Sequence, residues 1–449
     1  MSKKDGASRS ERMLNEPVQK IIPELAVPTI ISMLITSVYN MADTFFVSQL
    51  GTSASGAVGI IFSAMAMIQA LSFMIGMGAG NHISRLLGSG HEEEAKRYTS
   101  TAWFTGLLLG CFIAVFGTLY MNRIVMLLGS TETIAPYAAD YARYIFLAAP
   151  FMVCSLVMNN MLRFQGLTTY AMVGITIGGL LNMALDPILI FGFGMGTAGA
   201  GIATGFSQFV SFCILLGMCN LHQDAIHISP RQFAPSRKLY ADILYTGAPS
   251  LARQGIASLS SVMLNTIAGQ YGDAAVAAMS IVSRFTMFIN SVVVGFGQGF
   301  QPVCGFNYGA KQYDRVKESF WFCVKVATVI LLILCAIAML FSGNIIALFR
   351  KDDAEVIAIG TFALRAQLIT MPVWGYYTMC NMFSQSIGYG FRASLISCAR
   401  QGLFLIPTLY VLPRLLGLRG LQIAQPVADL FSVVFAFILV RGILRDLND

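Results

Sequence analysis

Of the 22 acidic residues in this chain of 449, three lie well inside stretches apolar enough to occupy a lipid bilayer: Asp43, Asp186 and Asp429. An ionised carboxylate at a bilayer centre costs about 2.5–3.5 kcal/mol even on insertion scales. Each of the three therefore needs a partner, a cavity or a proton. Around Asp43, residues Ser32, Thr36, Tyr39 and Asn40 precede it at 11, 7, 4 and 3 positions, which are same-face spacings on a helix. Asn182 and Asp186 stand one turn apart, followed by Pro187, and Thr204, Gln208 and Ser211 make a third polar face. The chemistry open to such a set is reversible binding of a proton or a small cation. Its structural alternative is helix packing by hydrogen bonds, and that alternative is stronger for Asp429, whose helix has no polar stripe.

The second half is instead rich in basic residues placed near the middle of apolar stretches: Arg253, Arg284 and Arg400. Arginine there is expected to face the bundle interior. It then binds an anionic substrate group, or ties helices together through backbone carbonyls and Asp429. With Tyr39, Asn40 and Gln208, these three are candidate cavity residues. Pro28 and Pro249 lie inside helices and permit bends, because each removes a backbone hydrogen bond. Met65, Met67, Met74 and Met77, and the set Met371, Trp374, Tyr376, Tyr377, Met379 and Met382, suit adaptable walls. Methionine is also an ordinary packing residue of membrane helices.

The elements that must position these groups follow from composition. The chain is 56% hydrophobic and 11% charged, whereas a soluble domain carries roughly 25% charge. Apolar stretches long enough to cross about 30 Å of hydrocarbon recur along it. We read an all-α polytopic membrane protein with twelve spans, at 22–48, 54–80, 98–120, 136–158, 167–191, 198–219, 241–269, 275–300, 319–341, 357–382, 393–412 and 420–443. The first 20 residues are polar and basic, without the apolar core of a signal peptide.

Basic residues in the connections set the orientation. Lys3, Lys4, Arg9, Arg12 and Lys20 of the N-terminus fall on one side. So do Arg85, Lys96, Arg97, Arg163, Arg231, Arg237, Lys238, Lys311, Arg315, Lys317, Arg392, Arg441 and Arg445. The other side has only Arg123, Arg350, Lys351, Arg414 and Arg419. By the positive-inside rule both termini are cytoplasmic and the protein is a multi-pass component of the cell (inner or plasma) membrane. The same rule accounts for the net charge of +7 without nucleic acid.

The chain also repeats itself. A shift of 221 residues superposes Pro28 on Pro249, Gly51 on Gly272, Gly76 on Gly297, Gly78 on Gly299, Gly88 on Gly309 and Lys96 on Lys317. One inserted residue then brings Arg143 onto Arg365, Pro150 onto Pro372 and Gly166 onto Gly388. Six spans per repeat keep both copies in the same orientation, so two pseudo-symmetric six-helix bundles around a central cavity are expected. The organisation is an N-terminal tail at 1–21, a first lobe at 22–220, a linker at 221–240, a second lobe at 241–443 and a tail at 444–449. Under the shift Asp43 falls on Leu264, and Asp186 on Pro407 or Thr408. A purely architectural carboxylate would be retained in both copies, so the asymmetry favours function.

Enzyme signals fail in context. Gly194, Gly196 and Gly199 match a dinucleotide pattern, but between two spans and without a βαβ unit. No phosphate-binding loop for ATP occurs. His82, His91, His222 and His227 lie away from the span centres, and the nine cysteines lack metal-ligand spacing.

The stretches YNMADTFFVSQLG (39–51), NMALDPILIFG (182–192), GTAGAGIATGFSQ (196–208) and GFGQGFQPVCGFNYGAKQYDRVK (295–317) resemble the multidrug and toxic compound extrusion (MATE) transporters, and the resemblance covers roughly residues 20–440. It implies two six-helix bundles in a V, alternating between inward- and outward-open states. It further implies export of organic compounds, often cationic and lipophilic, in exchange for H+ or Na+. The family's first-lobe cation site falls on Asp43, Asn182, Asp186 and Thr204, with Pro28 as the bending residue of the first helix. Some branches also carry acids on helices 7 and 10. Here helix 7 has Arg253 and Gln254 and neither helix has an acid, which places the chain nearer the branch with first-lobe acids.

The function expected is therefore secondary active antiport of small organic molecules by a monomer. It needs no cofactor and no metal beyond Na+ at Asp43 and Asp186; lipid is its surroundings. The alternatives are a flippase for lipid-linked precursors or an exporter of anionic metabolites, which Arg253, Arg284 and Arg400 would suit. A channel would need a pore-loop filter, and a receptor an appended soluble domain; neither is visible.

Overall fold

The computed structural model describes residues 4–222, 225–349 and 353–447. Lys3, Arg350 and Lys351, used above for orientation, lie outside the described residues, as do parts of both tails and of the 221–240 linker. Among the described residues the chain is helical throughout, with no strand. Twelve long helices run Val18–Ser48 (α1), Thr52–Gly88 (α2), Glu92–Leu119 (α3), Ala135–Phe164 (α4), Thr168–Gly192 (α5) and Gly196–Leu221 (α6) in the first lobe. The second lobe has Arg237–Gly269 (α7), Asp273–Gly309 (α8), Tyr313–Leu340 (α9), Ala354–Ser386 (α10), Gly390–Leu416 (α11) and Leu418–Asp446 (α12). Eleven are long and apolar enough to cross a membrane; α7 falls short.

Several helices outrun the expected spans. α2 continues past residue 80 to Gly88, α4 past 158 to Phe164, and α8 past 300 to Gly309. The extensions are glycine-rich or polar and read as loops when judged against lipid. They are helical because they pack against protein, which satisfies their backbone and covers their side chains.

The repeat is visible in detail. Short helices at Met121–Leu127 and Ser342–Phe349 occupy matching positions before α4 and α10. Asn159 Nδ2 donates to the Ala171 carbonyl at 3.0 Å, and Asn381 Nδ2 donates to the Ala393 carbonyl at 2.8 Å. α4 is the hub of the first lobe, packed by α2, α3 and α6, and α10 takes that place in the second, packed by α8, α9 and α12.

The lobes are laced together by exchange of their first helices. Met13, Val18, Ile21, Ile22, Leu25 and Ala26 are buried in the core of the second lobe. Leu239 and Ile243 at the start of α7 are buried in the core of the first. α1 lies against α8, and α7 against α2. The crossing of α2 and α8 is reciprocal: a methyl group on Gly88 would overlap the Phe306 carbonyl, and one on Gly309 would overlap the Arg85 carbonyl. Only glycine permits that approach.

The N-terminal helix and the last turns of α12 lie at this end. The N-terminal helix Lys4–Asn15 is held to the second lobe by Asn307 Nδ2, which donates to the Met13 carbonyl at 3.1 Å, and by Arg315 Nη2, which donates to the Glu16 carbonyl at 2.7 Å. At the other terminus Arg392 lies 3.8 Å from Asp446. On the distal halves of α7 and α8, by contrast, Ser258, Ser261, Asn265, Ser283 and Arg284 are exposed. Polar side chains in membrane helices face water or protein rather than lipid.

Substituting Gly309→Ala is expected to cost about 1–3 kcal/mol, as overpacking of a close contact does. Gly343→Ala, whose new methyl would meet nothing nearer than Thr361 Oγ1 at 3.8 Å, is expected to cost nothing. Thermal unfolding of the two purified variants in detergent measures the difference.

Candidate functional site

The first-lobe acids sit where α1, α4, α5 and α6 converge. Asp186 is fully buried on α5, and neither of its carboxylate oxygens has a hydrogen-bond partner. Asp43, partly buried on α1, accepts a long hydrogen bond of 3.5 Å from the Tyr141 hydroxyl at Oδ2, while its Oδ1 has none. Asn182 Nδ2 donates to Thr204 Oγ1 at 3.2 Å, and the Asn182 Oδ1 is also unpartnered. The charges of Asp43 and Asp186 are close enough to act on each other. The fold thus gathers the four residues expected from the sequence into one group. It contains four buried acceptor atoms without donors, a set that suits a proton or a cation.

Tyr141 is the member that sequence reading missed. Its hydroxyl lies close to Asp43, Thr204, Asp186 and Tyr39. A tyrosine at a span's edge reads as an interfacial anchor, and nothing in its spacing marks it as belonging to helices far away in sequence.

α5 ends its regular α-geometry at Pro187, after which Ile188–Gly192 widens into a π-turn. Proline cannot donate to the carbonyl one turn back, and the loosened turn lies directly beside Asp186.

A cavity of about 80 Å³ runs beside this group between α1, α2, α4, α5, α6 and α8. Tyr39, Asn182, Thr204 and Gln208 line one end of it, and Arg163, Thr168 and Gln298 line the other. Asn40 is partly buried and does not line it. Pro28 is buried in a continuous α1. Next to it the Thr29 hydroxyl donates to the Gly295 carbonyl of α8 at 2.6 Å, so the bend-permitting residue adjoins a contact between the lobes.

The arginines do not behave alike. Arg400 lies in the π-turn Ala399–Phe404 and donates from Nε to Asp429 Oδ1 at 2.7 Å, with Gln425 and Gln367 completing the carboxylate, each at 2.8 Å. Its guanidinium also lies 3.5 Å from the Trp374 ring centroid. Both charges are satisfied, so this pair joins α11 to α12 and α10. Arg284 is exposed. Arg253 is partly buried and has no salt-bridge partner among the described residues.

Arg163 was counted above as a loop cation and is instead a core residue. α4 carries it inside the protein, where it is 1% exposed. Its Nη2 donates to Asn160 Oδ1 at 2.5 Å and its Nη1 to Gln301 Oε1 at 3.3 Å, with the Gln298 carbonyl at 3.5 Å. All three are neutral, and Nε has no partner.

Comparison with known proteins agrees with this architecture. The MatE family profile matches twice, at residues 28–188 and 249–411, once per lobe. The chain is 25% identical over 432 residues to the multidrug export protein MepA of Staphylococcus aureus (strain MSSA476), covering 96% of this chain and 95% of the relative. It superposes with a TM-score of 0.93 and 28% identity on an outward-facing conformation of a multidrug resistance MATE family transporter of the MOP superfamily, covering 97% and 98% of the two chains. A MATE crystal structure in complex with MaL6 also gives a TM-score of 0.93, at 27% identity and the same coverage. The fold and these matches therefore define a two-lobed membrane transporter. The chain belongs to the MATE family.

Removing one member of the buried pair should be costly. Arg400→Gln leaves Asp429 charged and under-partnered, and is expected to destabilise by about 3–5 kcal/mol. Arg284→Gln, on an exposed face, is expected to change stability by less than about 0.5 kcal/mol. Thermal unfolding of the two variants in parallel checks both values.

Proposed function

We propose that the protein exports organic compounds by antiport with H+ or Na+, using Asp43 and Asp186, with Asn182 and Thr204, as the coupling site. The observation that carries this reading is the set of buried acceptor atoms without donors on Asp43, Asn182 and Asp186. A buried carboxylate without partners is expensive as a bare anion. It is stable there with a proton or a cation bound, and it releases that ion when water reaches it. Tyr141 steadies Asp43 meanwhile.

Binding and release change the repulsion between α1 and α5. Pro28 lets α1 answer by bending, and α1 also contacts the second lobe through Thr29 and Gly295. The coupling ion can in this way move a cavity wall and the seam between lobes together. The working units are residues 22–220 and 241–443, joined by the 221–240 linker, with both termini in the cytoplasm of a cell in whose plasma membrane the monomer resides. One charge moving through 100 mV supplies about 2.3 kcal/mol, enough for roughly 50-fold accumulation.

In proteoliposomes with an imposed proton or sodium gradient, Asp43→Asn is expected to abolish gradient-driven export while the protein still inserts. Near wild-type coupled transport by this variant would refute the assignment. Asp186→Asn should weaken binding of the coupling ion non-additively with Asp43→Asn, because the two acids share one site; additive losses would mean separate sites.

A further inference from the structure

The two ends of the cavity have opposite needs. At the Asp186 end the buried atoms without partners are acceptors. At the other end Arg163 carries an unpartnered buried donor, Nε, and the adjoining Gln301, packed behind the cavity wall, carries another, Nε2. The orientation of the Gln301 amide is fixed by its neighbour, since its oxygen accepts from Arg163 Nη1 at 3.3 Å and the reverse orientation would set two donors against each other. No carboxylate pairs with Arg163 among the described residues; the charged group that acts on it is a second cation, Arg253. A fully buried guanidinium held only by neutral groups is an uncompensated charge. The missing partner is an anion, and Arg163 lines the cavity.

We propose that Arg163 and Gln301, with Arg253 nearby, form a binding site for the anionic group of the transported compound, a carboxylate or a phosphate. Charge-assisted hydrogen bonds from a guanidinium to such a group are among the strongest available, and the planar fork matches its geometry. The cargo class is then an organic molecule with an acidic group, whose cationic part, where it has one, lies toward the acceptor-rich end. This deepens the export reading and rests on the same cavity holding the cargo. The competing account is that Arg163 merely ties α4 to α8 through Gln298 and Gln301.

The test is equilibrium binding to the purified full chain, read by fluorescence polarisation, with rhodamine 110 and its methyl ester rhodamine 123. The two dyes differ only in whether the carboxylate is free. Wild-type protein is expected to bind the free carboxylate more tightly by about tenfold. Arg163→Gln should remove that preference. Gln301→Glu serves where Arg163→Gln fails to fold: it keeps the tie to Arg163 and fills the anion's place from within, and should also remove the preference. Wild-type protein that binds rhodamine 123 as tightly as rhodamine 110, or binds neither, overturns the proposal. So does a preference that survives Gln301→Glu. The outcome is separable from transport: a carboxylate preference in binding without gradient-driven movement of either dye would refute antiport and leave the anion site standing.

Discussion

Hydrocarbon offers no hydrogen bonds, so every polar group carried into the membrane must be satisfied by the protein itself or by something the protein binds. Most polar side chains here meet that condition from within. Thr, Ser and Asn side chains return to carbonyls one turn back, as Ser32 does to Pro28 at 3.0 Å and Asn307 to Val303 at 2.8 Å. Asp429 is surrounded by three donors. Unpartnered buried atoms occur in both lobes; those on Asp43, Asn182 and Asp186 are acceptors, and those on Arg163 and Gln301 are donors. The second lobe's buried carboxylate, Asp429, is fully partnered, whereas Asp43 and Asp186 in the first keep three oxygens without donors.

Close likeness of the two lobes makes that difference meaningful. The Asn159 and Asn381 hydrogen bonds, the short helices before α4 and α10, and the reciprocal glycine contacts at Gly88 and Gly309 all obey one repeat. What differs between copies is therefore a departure from a shared plan. Lys311 illustrates a small one: it takes the left-handed φ of 60° at the position where the first lobe has Gly90 at 79°.

Much of this was legible in the residues alone. Twelve long helices and the repeat follow from apolar lengths and a constant shift; helical spacing gives the polar faces that carry Asp43, Asn182, Asp186 and Thr204, and the family resemblance implies that they form one set. The failures share a cause. Arg163 was taken for a loop residue because a span was judged against lipid, and α4 continues past that limit against protein. Tyr141 was missed because its partners lie on α1, α5 and α6. Periodicity reports which residues share a helix face; it does not report what that face meets.

The polarity of α7 bears on how the protein is made. Arg253 and Gln254 lie within it, and Ser258, Ser261 and Asn265 on its exposed side, so it lacks the hydropathy of the other eleven helices. A central arginine alone opposes insertion by about 2.5–3.5 kcal/mol. Its first turns, Leu239 and Ile243, are buried in the first lobe. The first lobe, synthesised earlier, thus provides the surface on which α7 can leave the aqueous phase, and the second bundle assembles on a template rather than as an independent copy. The crossing that joins the finished lobes is also what gives their biogenesis its direction.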